Sequence, residues 1–458
     1  MVIERGRAIA RRILPRGAIL LAVLTFAAYL AGLVRDRIFA RTYGAGPELD
    51  AYNAAFVLPE LLLDVLVAAG LTAPFVPVFT TLRRDVPADA PAFAQTVLTL
   101  AVGVMGIASV VLFIVAPATV ELIAPGFDEA TSALYLDLFR LMLVTPILFA
   151  ASITLGEILV AEQRFAWYAL APILYNLGIV AGTVLLHDSI GIYAAAVGAV
   201  LGASLHLGIR VVGMTRSTVR IRPRLRLRMP ALHEFLRLMV PKMLAHPIEP
   251  LTFLFFTNVA SALAAGSVTS LSFARNFQSV PVALVGVAIS LAAFPSLSAV
   301  WASGERGAFG ALVRTNVITI TVLTVIAAVG LVIVGPFAIE VLLGGGEFDA
   351  EDVRVTASIL AAFALAVPFD ALGHLTARGL YATHNTLLAV IAAFAGFAVT
   401  VVTTLALVDT LDVIAIPLGF AAGMATKTVL QGIALAWRIR NAPIPVYVPE
   451  EPAGDEAA

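Results

Sequence analysis

Apolar stretches recur along almost the whole chain, separated by short polar connections. A membrane-crossing helix needs ~20 mostly apolar residues, because lipid offers backbone N–H and C=O groups no partner and each segment must satisfy its own. On that criterion the pattern predicts twelve spans, at about 17–39, 49–80, 93–117, 134–159, 167–186, 190–212, 236–263, 268–299, 310–343, 354–379, 386–407 and 413–437. The first run, "GAILLAVLTFAAYLAGLV", exceeds a secretory h-region of roughly 7–15 residues and runs on into charge without a convincing cleavage site. It is expected to remain as span 1.

The pattern also repeats. "VAPATVELIAPGFDEA" at 115–130 has a counterpart in "VGPFAIEVLLGGGEFDAED" at 334–352, pairing Pro117 with Pro336 and Glu121 with Glu340 at an offset of 219. Pro146 in "LVTPILFA" matches Pro368 in "LAVPFDAL", and Pro59 in span 2 lies 222 residues before Pro281 in span 8. The expected fold is therefore an all-α polytopic membrane protein of about twelve helices in two six-helix lobes. An N-terminal lobe (1–215), a basic linker (216–235), a C-terminal lobe (236–440) and an acidic, disordered tail (441–458) follow from the repeat. Six is even, so both lobes enter the membrane in the same direction, related by a pseudo-two-fold axis along its normal. Transporters are built this way, with the substrate site between the lobes; a duplicated channel or structural protein stays open.

Composition agrees with the pattern: 60% of the residues are hydrophobic and 13% charged, against ~25% charged in soluble domains. The net charge of −1 says little, whereas the placement of charge says much. Arg5, Arg7, Arg11, Arg12 and Arg16 precede span 1, Arg83 and Arg84 follow span 2, and the link between spans 6 and 7 reads "RSTVRIRPRLRLR". The alternate loops are acidic: "APGFDEA", "HDS", "GGGEFDAED", and Asp409 with Asp412. Basic residues gather on the cytoplasmic side, so both termini are expected inside. Arg35, Arg37 and Arg41, toward the outer end of span 1, are the exception.

Catalysis is not expected. There is no cysteine, the six histidines show no metal-ligand spacing, and no phosphate-binding loop or nucleophile elbow stands in a strand–turn–helix context. No catalytic residue, metal, cofactor or nucleic-acid partner is assigned.

The candidate chemistry lies in charges inside apolar spans, each costing on the order of 2.5–3.5 kcal/mol on insertion scales. Arg35 and Asp36 interrupt span 1; as neighbours they project about 100° apart on a helix and are not expected to form one narrow face pair. Glu60 and Asp64 stand at i,i+4 just after Pro59, which is expected to kink span 2. All four should face an interior aqueous cavity rather than lipid. Arg35 either neutralises a carboxylate on the neighbouring span or meets a substrate or coupling ion. Span 7 opens with Pro241, Pro247 and Pro250 around His246 and Glu249, the composition of a discontinuous helix; the alternative is a helix starting after Pro250 with both groups at the interface. Arg275 and Asn276 precede Pro281 in span 8. Asp137 with Arg140 reads as a structural ion pair, Asp370 with His374 as helix-to-helix glue or a proton relay, and Lys427 as a snorkelling side chain.

The block "AGLVRDRIFARTYGAGPELDAYNAAFVLPELL…FVPVF" resembles the N-terminal signature of the MurJ/MviN lipid II flippases, within the multidrug/oligosaccharidyl-lipid/polysaccharide exporter superfamily. The resemblance continues through "APGF" and "PVALVGVAISLAAFPSLS" and covers nearly the whole chain. It implies a monomeric carrier in the bacterial cytoplasmic membrane that moves an undecaprenyl-pyrophosphate-linked peptidoglycan precursor from the inner to the outer leaflet by alternating access, with a proton or sodium ion as the coupling ion. Arg35, Asp36 and Asp50 match the family's pattern as substrate-binding positions, and Arg275-Asn276 falls where the family has Asp-Arg. Departures are specific: Tyr29 stands where the family has an arginine, and Glu60, Leu63 and Asp64 where it has Asn and then Arg-Arg. The family commonly has two further C-terminal spans. The cavity implied here is less cationic and more acidic, so an ion-coupled multidrug or polysaccharide exporter, or a non-transporting paralogue, remains as an alternative.

Overall fold

The computed structural model describes residues 16–245 and 248–441. Their regular structure is helical: α1 (Arg16–Tyr43), α2 (Pro47–Leu63), α3 (Ala69–Asp85), α4 (Ala90–Ile123), α5 (Glu129–Met142), α6 (Val144–Ala161), α7 (Phe165–Ile190), α8 (Tyr193–Met214), α9 (Pro230–Ala245), α10 (Ile248–Ser261), α11 (Ser267–Pro281), α12 (Ala288–Ala302), α13 (Arg306–Leu342), α14 (Ala350–Ala364), α15 (Val367–Ala382), α16 (Leu387–Leu411) and α17 (Ala415–Asn441). Over the described residues, the twelve expected spans fall on these helices or on consecutive ones. Seven helical runs among the described residues are long and apolar enough to cross a membrane, one of them holding both α16 and α17, and α14 with α15 forms an eighth, bent by 43°. That set accounts for spans 3 to 6 and 8 to 12. The arginines before Arg16, His246 with Pro247, and the acidic tail lie outside the described residues.

The prolines matched in the sequence sit at matched breaks. Pro59 and Pro281 are each followed by a widened π turn, Asp64–Ala68 between α2 and α3 and Val282–Val287 between α11 and α12. A proline inside a helix removes one backbone bond, and a widened turn is a common accommodation. Pro117 and Pro336 each lie six residues before the end of a long helix, at Ile123 and Leu342 respectively. The α5–α6 and α14–α15 junctions fall just before Pro146 and Pro368.

Packing gathers the described residues into two compact units, those within 1–273 and 336–357, and those within 274–335 and 358–458. In the first, Phe75 stacks on Phe79 and Phe93 while Phe235 meets both Phe75 and Phe93 edge-on. Helices α7 and α8 meet through small residues: a Cβ on Gly178 or Gly182 would overlap the backbone of Gly202 or Gly198. In the second, α16 and α17 pack the same way through Gly396, Thr400, Gly419 and Gly423, and Trp301 caps Phe309 at 5.1 Å. Large apolar side chains such as Ile107, Ile114, Ile333 and Phe337 point outward, as lipid-facing positions must.

Residues 216–229 form no helix or strand, but α9 begins at Pro230, a residue whose missing N–H costs nothing in a helix's first turn.

Candidate functional site

In the first unit a cation and several polar groups cluster where α1, α2 and α7 supply them. Arg35 on α1 is half-buried and bonds its own neighbour: Nε and Nη2 donate to Asp36 Oδ1 at 3.0 and 2.8 Å. This corrects the expectation from backbone geometry. Adjacent Cβ atoms diverge, but a guanidinium on a three-carbon stem reaches around to the next carboxylate. The pair also answers where the neutralising acid comes from, the same helix rather than the next.

Asp36 is buried, and its pairing offsets much of the cost of placing either charge at membrane depth. The Nε and Nη2 edge of the guanidinium faces Asp36. The Arg35 charge acts on Tyr52 of α2 and on Tyr175 of α7. Tyr52 is buried, Phe39 lies edge-on at 5.2 Å, and its hydroxyl has no partner among the described residues.

Glu60 and Asp64 lie one turn further along span 2. Pro59 is buried but Glu60 is exposed and Asp64 half-buried. The charges of Asp64 and Arg35 both act on Glu60, which places the acid pair and the cation in one electrostatic neighbourhood. Among the described residues no group of three or more His, Asp or Glu is arranged to hold a metal ion. Tyr29 is exposed.

Asp50 faces the start of α11. Gly266 donates its amide to Oδ2 at 2.7 Å, and Thr269 gives both its amide and its hydroxyl to Oδ1 at 2.8 and 2.6 Å. The carboxylate thus caps the N-terminus of α11 from α2, satisfying donors that a helix leaves open. Glu249 stands exposed in the first turn of α10. His246 and the expected break in span 7 lie at residues outside the described set.

The second unit holds its own polar group. Arg275 of α11 lies 3.5 Å from Asp370 of α15, hydrogen-bonds Gln278, and sits over the Phe420 ring at 4.8 Å. Gln278, fully buried, reaches Asp370 Oδ2 at 3.4 Å, and His374 and Lys427 add their charges to the same carboxylate. Asp370 therefore joins α15 to α11. Asn276 is exposed, one residue round the helix from Arg275. Lys427 does not snorkel: its ammonium lies 3.6 Å from Met424 Sδ and against Gly373, midway along α17. Asp137 and Arg140 do not pair either, since Asp137 accepts from Tyr193 at 2.9 Å and Arg140 lies over Phe113.

One cluster escaped the sequence reading. Ser152 of α6 contacts His206 Nδ1 of α8 at 2.8 Å, and Arg210 donates to the Ser152 carbonyl at 2.6 Å while lying over Tyr168. Glu157 is buried within reach of Arg210's charge. Gly156 leaves the space the guanidinium fills. The available signal was His206 and Arg210 at i,i+4 inside an apolar span.

The outward arginines are also explained. Arg37 donates to the carbonyls of Val341 and Leu342 at 2.6 and 2.9 Å, and Arg41 to that of Gly344 at 2.8 Å. They cap the C-terminus of α13, where carbonyls lack partners and positive charge is favoured.

A family model described as lipid II flippase MurJ matches residues 39–442. A lipid II flippase MurJ of Burkholderia cenocepacia is 26% identical over 379 residues, covering 81% of this chain and 73% of the relative. A probable lipid II flippase MurJ of Thermotoga maritima is 29% identical over 360 residues, with 78% and 72% covered. Among solved structures, a lipid II flippase MurJ in an inward closed conformation superposes with a TM-score of 0.79 at 22% identity, covering 91% of this chain and 87% of that one. An inward-facing multidrug resistance MATE family transporter of the MOP superfamily superposes with a TM-score of 0.77 at 15% identity, covering 92% and 98%.

Proposed function

The chain belongs to the lipid II flippase MurJ family, and we propose that it carries lipid II, an undecaprenyl-pyrophosphate-linked precursor, from the inner to the outer leaflet by alternating access. The repeats 1–215 and 236–440 serve as its lobes. It works as a monomer in the bacterial cytoplasmic membrane with both termini inside, and it transports rather than catalyses. A proton or sodium ion supplies the driving gradient.

The observation that carries this reading beyond family membership is the Arg35 guanidinium, held by Asp36 through Nε and Nη2. A planar guanidinium suits a pyrophosphate through charge-assisted hydrogen bonds, and Asp36 fixes its orientation in advance. Arg275, Asn276, Glu60, Asp64, His246 and Glu249 complete the proposed set of substrate and coupling positions, with Asp50 acting through the helix it caps.

The test is complementation. In cells depleted of their own flippase, this chain is expected to restore lipid II at the outer leaflet. Arg35→Lys, keeping charge but losing the fork, is expected to transport roughly tenfold more slowly at matched abundance. No restoration by a well-expressed wild-type chain refutes the proposal. A second reading, an ion-coupled cation exporter, is favoured by the exposed Glu60. There Glu60→Gln would abolish cation efflux, whereas flipping of an anionic lipid would persist.

A further inference from the structure

The linker between spans 6 and 7 is held as a belt. At its root Glu162 Oε1 accepts from Thr218 N and Oγ1 and from Ser217 Oγ at 3.1, 2.8 and 3.0 Å, and Arg164 donates to the Gly213 and Arg216 carbonyls. Further on, Gln95 donates to the Arg220 carbonyl at 2.9 Å, and the amides of Arg224 and Arg226 donate to Thr99 and Thr96 at 3.0 and 3.2 Å. Val219 and Met229 are buried at either end. The backbone is thus fastened across the first turns of α4.

The side chains are not fastened. Residues 220–228 are all exposed, and arginine occupies every second one: Arg220, Arg222, Arg224, Arg226 and Arg228. Between them Ile221, Leu225 and Leu227 are 45%, 59% and 56% exposed. Only Arg226 has a carboxylate partner among the described residues, Asp89 at 3.1 Å. Surface chain that carries both free cations and free aliphatic groups is costly in water and suited to a boundary between headgroups and acyl chains.

Its depth fits that boundary. Residues Ala92–Leu98 of α4 are buried on every side, and the first large outward apolar residue is Val104. From Thr99, where the belt is tied, to Val104 is a rise of about 8 Å at ~1.5 Å per residue. The headgroup layer is on the order of 5–8 Å thick on each side, so the belt lies at headgroup level beside a lipid-facing helix.

We propose that residues 220–228 are a docking site for anionic phospholipids: Arg220, Arg222 and Arg228 take headgroup phosphates while Ile221, Leu225 and Leu227 enter the acyl boundary. The site is independent of the cargo carried.

The chain has no cysteine, so Leu225→Cys accepts a single spin label on otherwise native protein. In nanodiscs containing phosphatidylglycerol, the label is expected to be relaxed more by oxygen than by a water-soluble nickel chelate. In purely zwitterionic lipid that order reverses. Native mass spectrometry after mild detergent provides the second readout. Arg220→Gln/Arg222→Gln/Arg228→Gln is expected to lose on the order of a hundredfold in preference for phosphatidylglycerol, at roughly fivefold per arginine. A control removing equal charge elsewhere, Arg83→Gln/Arg84→Gln/Arg354→Gln, retains it. A label equally open to the nickel reagent in both lipids overturns the proposal and leaves the belt to a soluble partner. Equal loss of lipid by the control overturns it too, because bulk charge alone would then explain retention.

Discussion

Both donors of Thr269, its amide and its hydroxyl, converge on one oxygen of Asp50, while the Gly266 amide takes the other. An acid in span 2 is thereby committed to starting the helix of span 8. Asp50→Ala leaves these donors buried and open, at roughly 1–3 kcal/mol for each that finds no water. We expect a clear fall in detergent melting temperature for Asp50→Ala and a smaller one for Asp50→Asn, which still accepts from Thr269. Transport per folded molecule should be preserved in Asp50→Asn; a loss of transport at full stability would instead put Asp50 against the substrate.

Asp370 answers several charges at once: Arg275 at 3.5 Å, with Lys427 and His374 nearby. Removing it by Asp370→Asn leaves buried cations without their counter-charge, a loss of about 3 kcal/mol. Arg275→Gln with Asp370→Asn should be milder than the sum of the two single changes, because the second removes a charge the first has orphaned. A double-mutant cycle by thermal denaturation measures the coupling; strict additivity would mean that the pair contributes nothing.

Helices follow from apolar length, and over the described residues the expected spans lie on helices because lipid leaves the backbone no alternative. Pro59 and Pro281 were matched by spacing and share a widened turn. Side-chain partners were harder, because periodicity fixes where a Cβ points and not where a long side chain ends. Arg35 bends back to Asp36, and Lys427 turns to Gly373 rather than to the interface. The His206 cluster draws Ser152 from a helix 54 residues away, a partnership that no local pattern encodes.

Arg37 and Arg41 broke the charge rule for loops, and their bonds to Val341, Leu342 and Gly344 explain why. They act as caps and not as topology signals. Arg37→Gln and Arg41→Gln should therefore leave reporter fusions on either side of span 1 unchanged. Each should lower stability by about 1 kcal/mol, as loss of a charge-assisted bond to a helix end does. Inverted fusions would reassign these arginines to orientation.

Asp128 offers a pH test outside the membrane. It is the N-cap of α5, accepting the Thr131 amide at 2.8 Å, and this hydrogen bonding to Thr131 lowers its carboxyl below the ordinary 3.8. The folded form thus prefers the carboxylate more than the unfolded form does. Its contribution to stability is complete above the unfolded value and is lost as pH falls through the lower folded one. Asp128→Ala should be less stable than the wild type at pH 7, and the gap should close as acid protonates the cap. Asp128→Asn, whose amide oxygen accepts the same bond without titrating, should show no such closing. Melting curves of the three proteins across pH 2 to 7 decide it: a gap between wild type and Asp128→Ala that stays constant to the acid limit would remove the carboxylate from the account of how α5 begins.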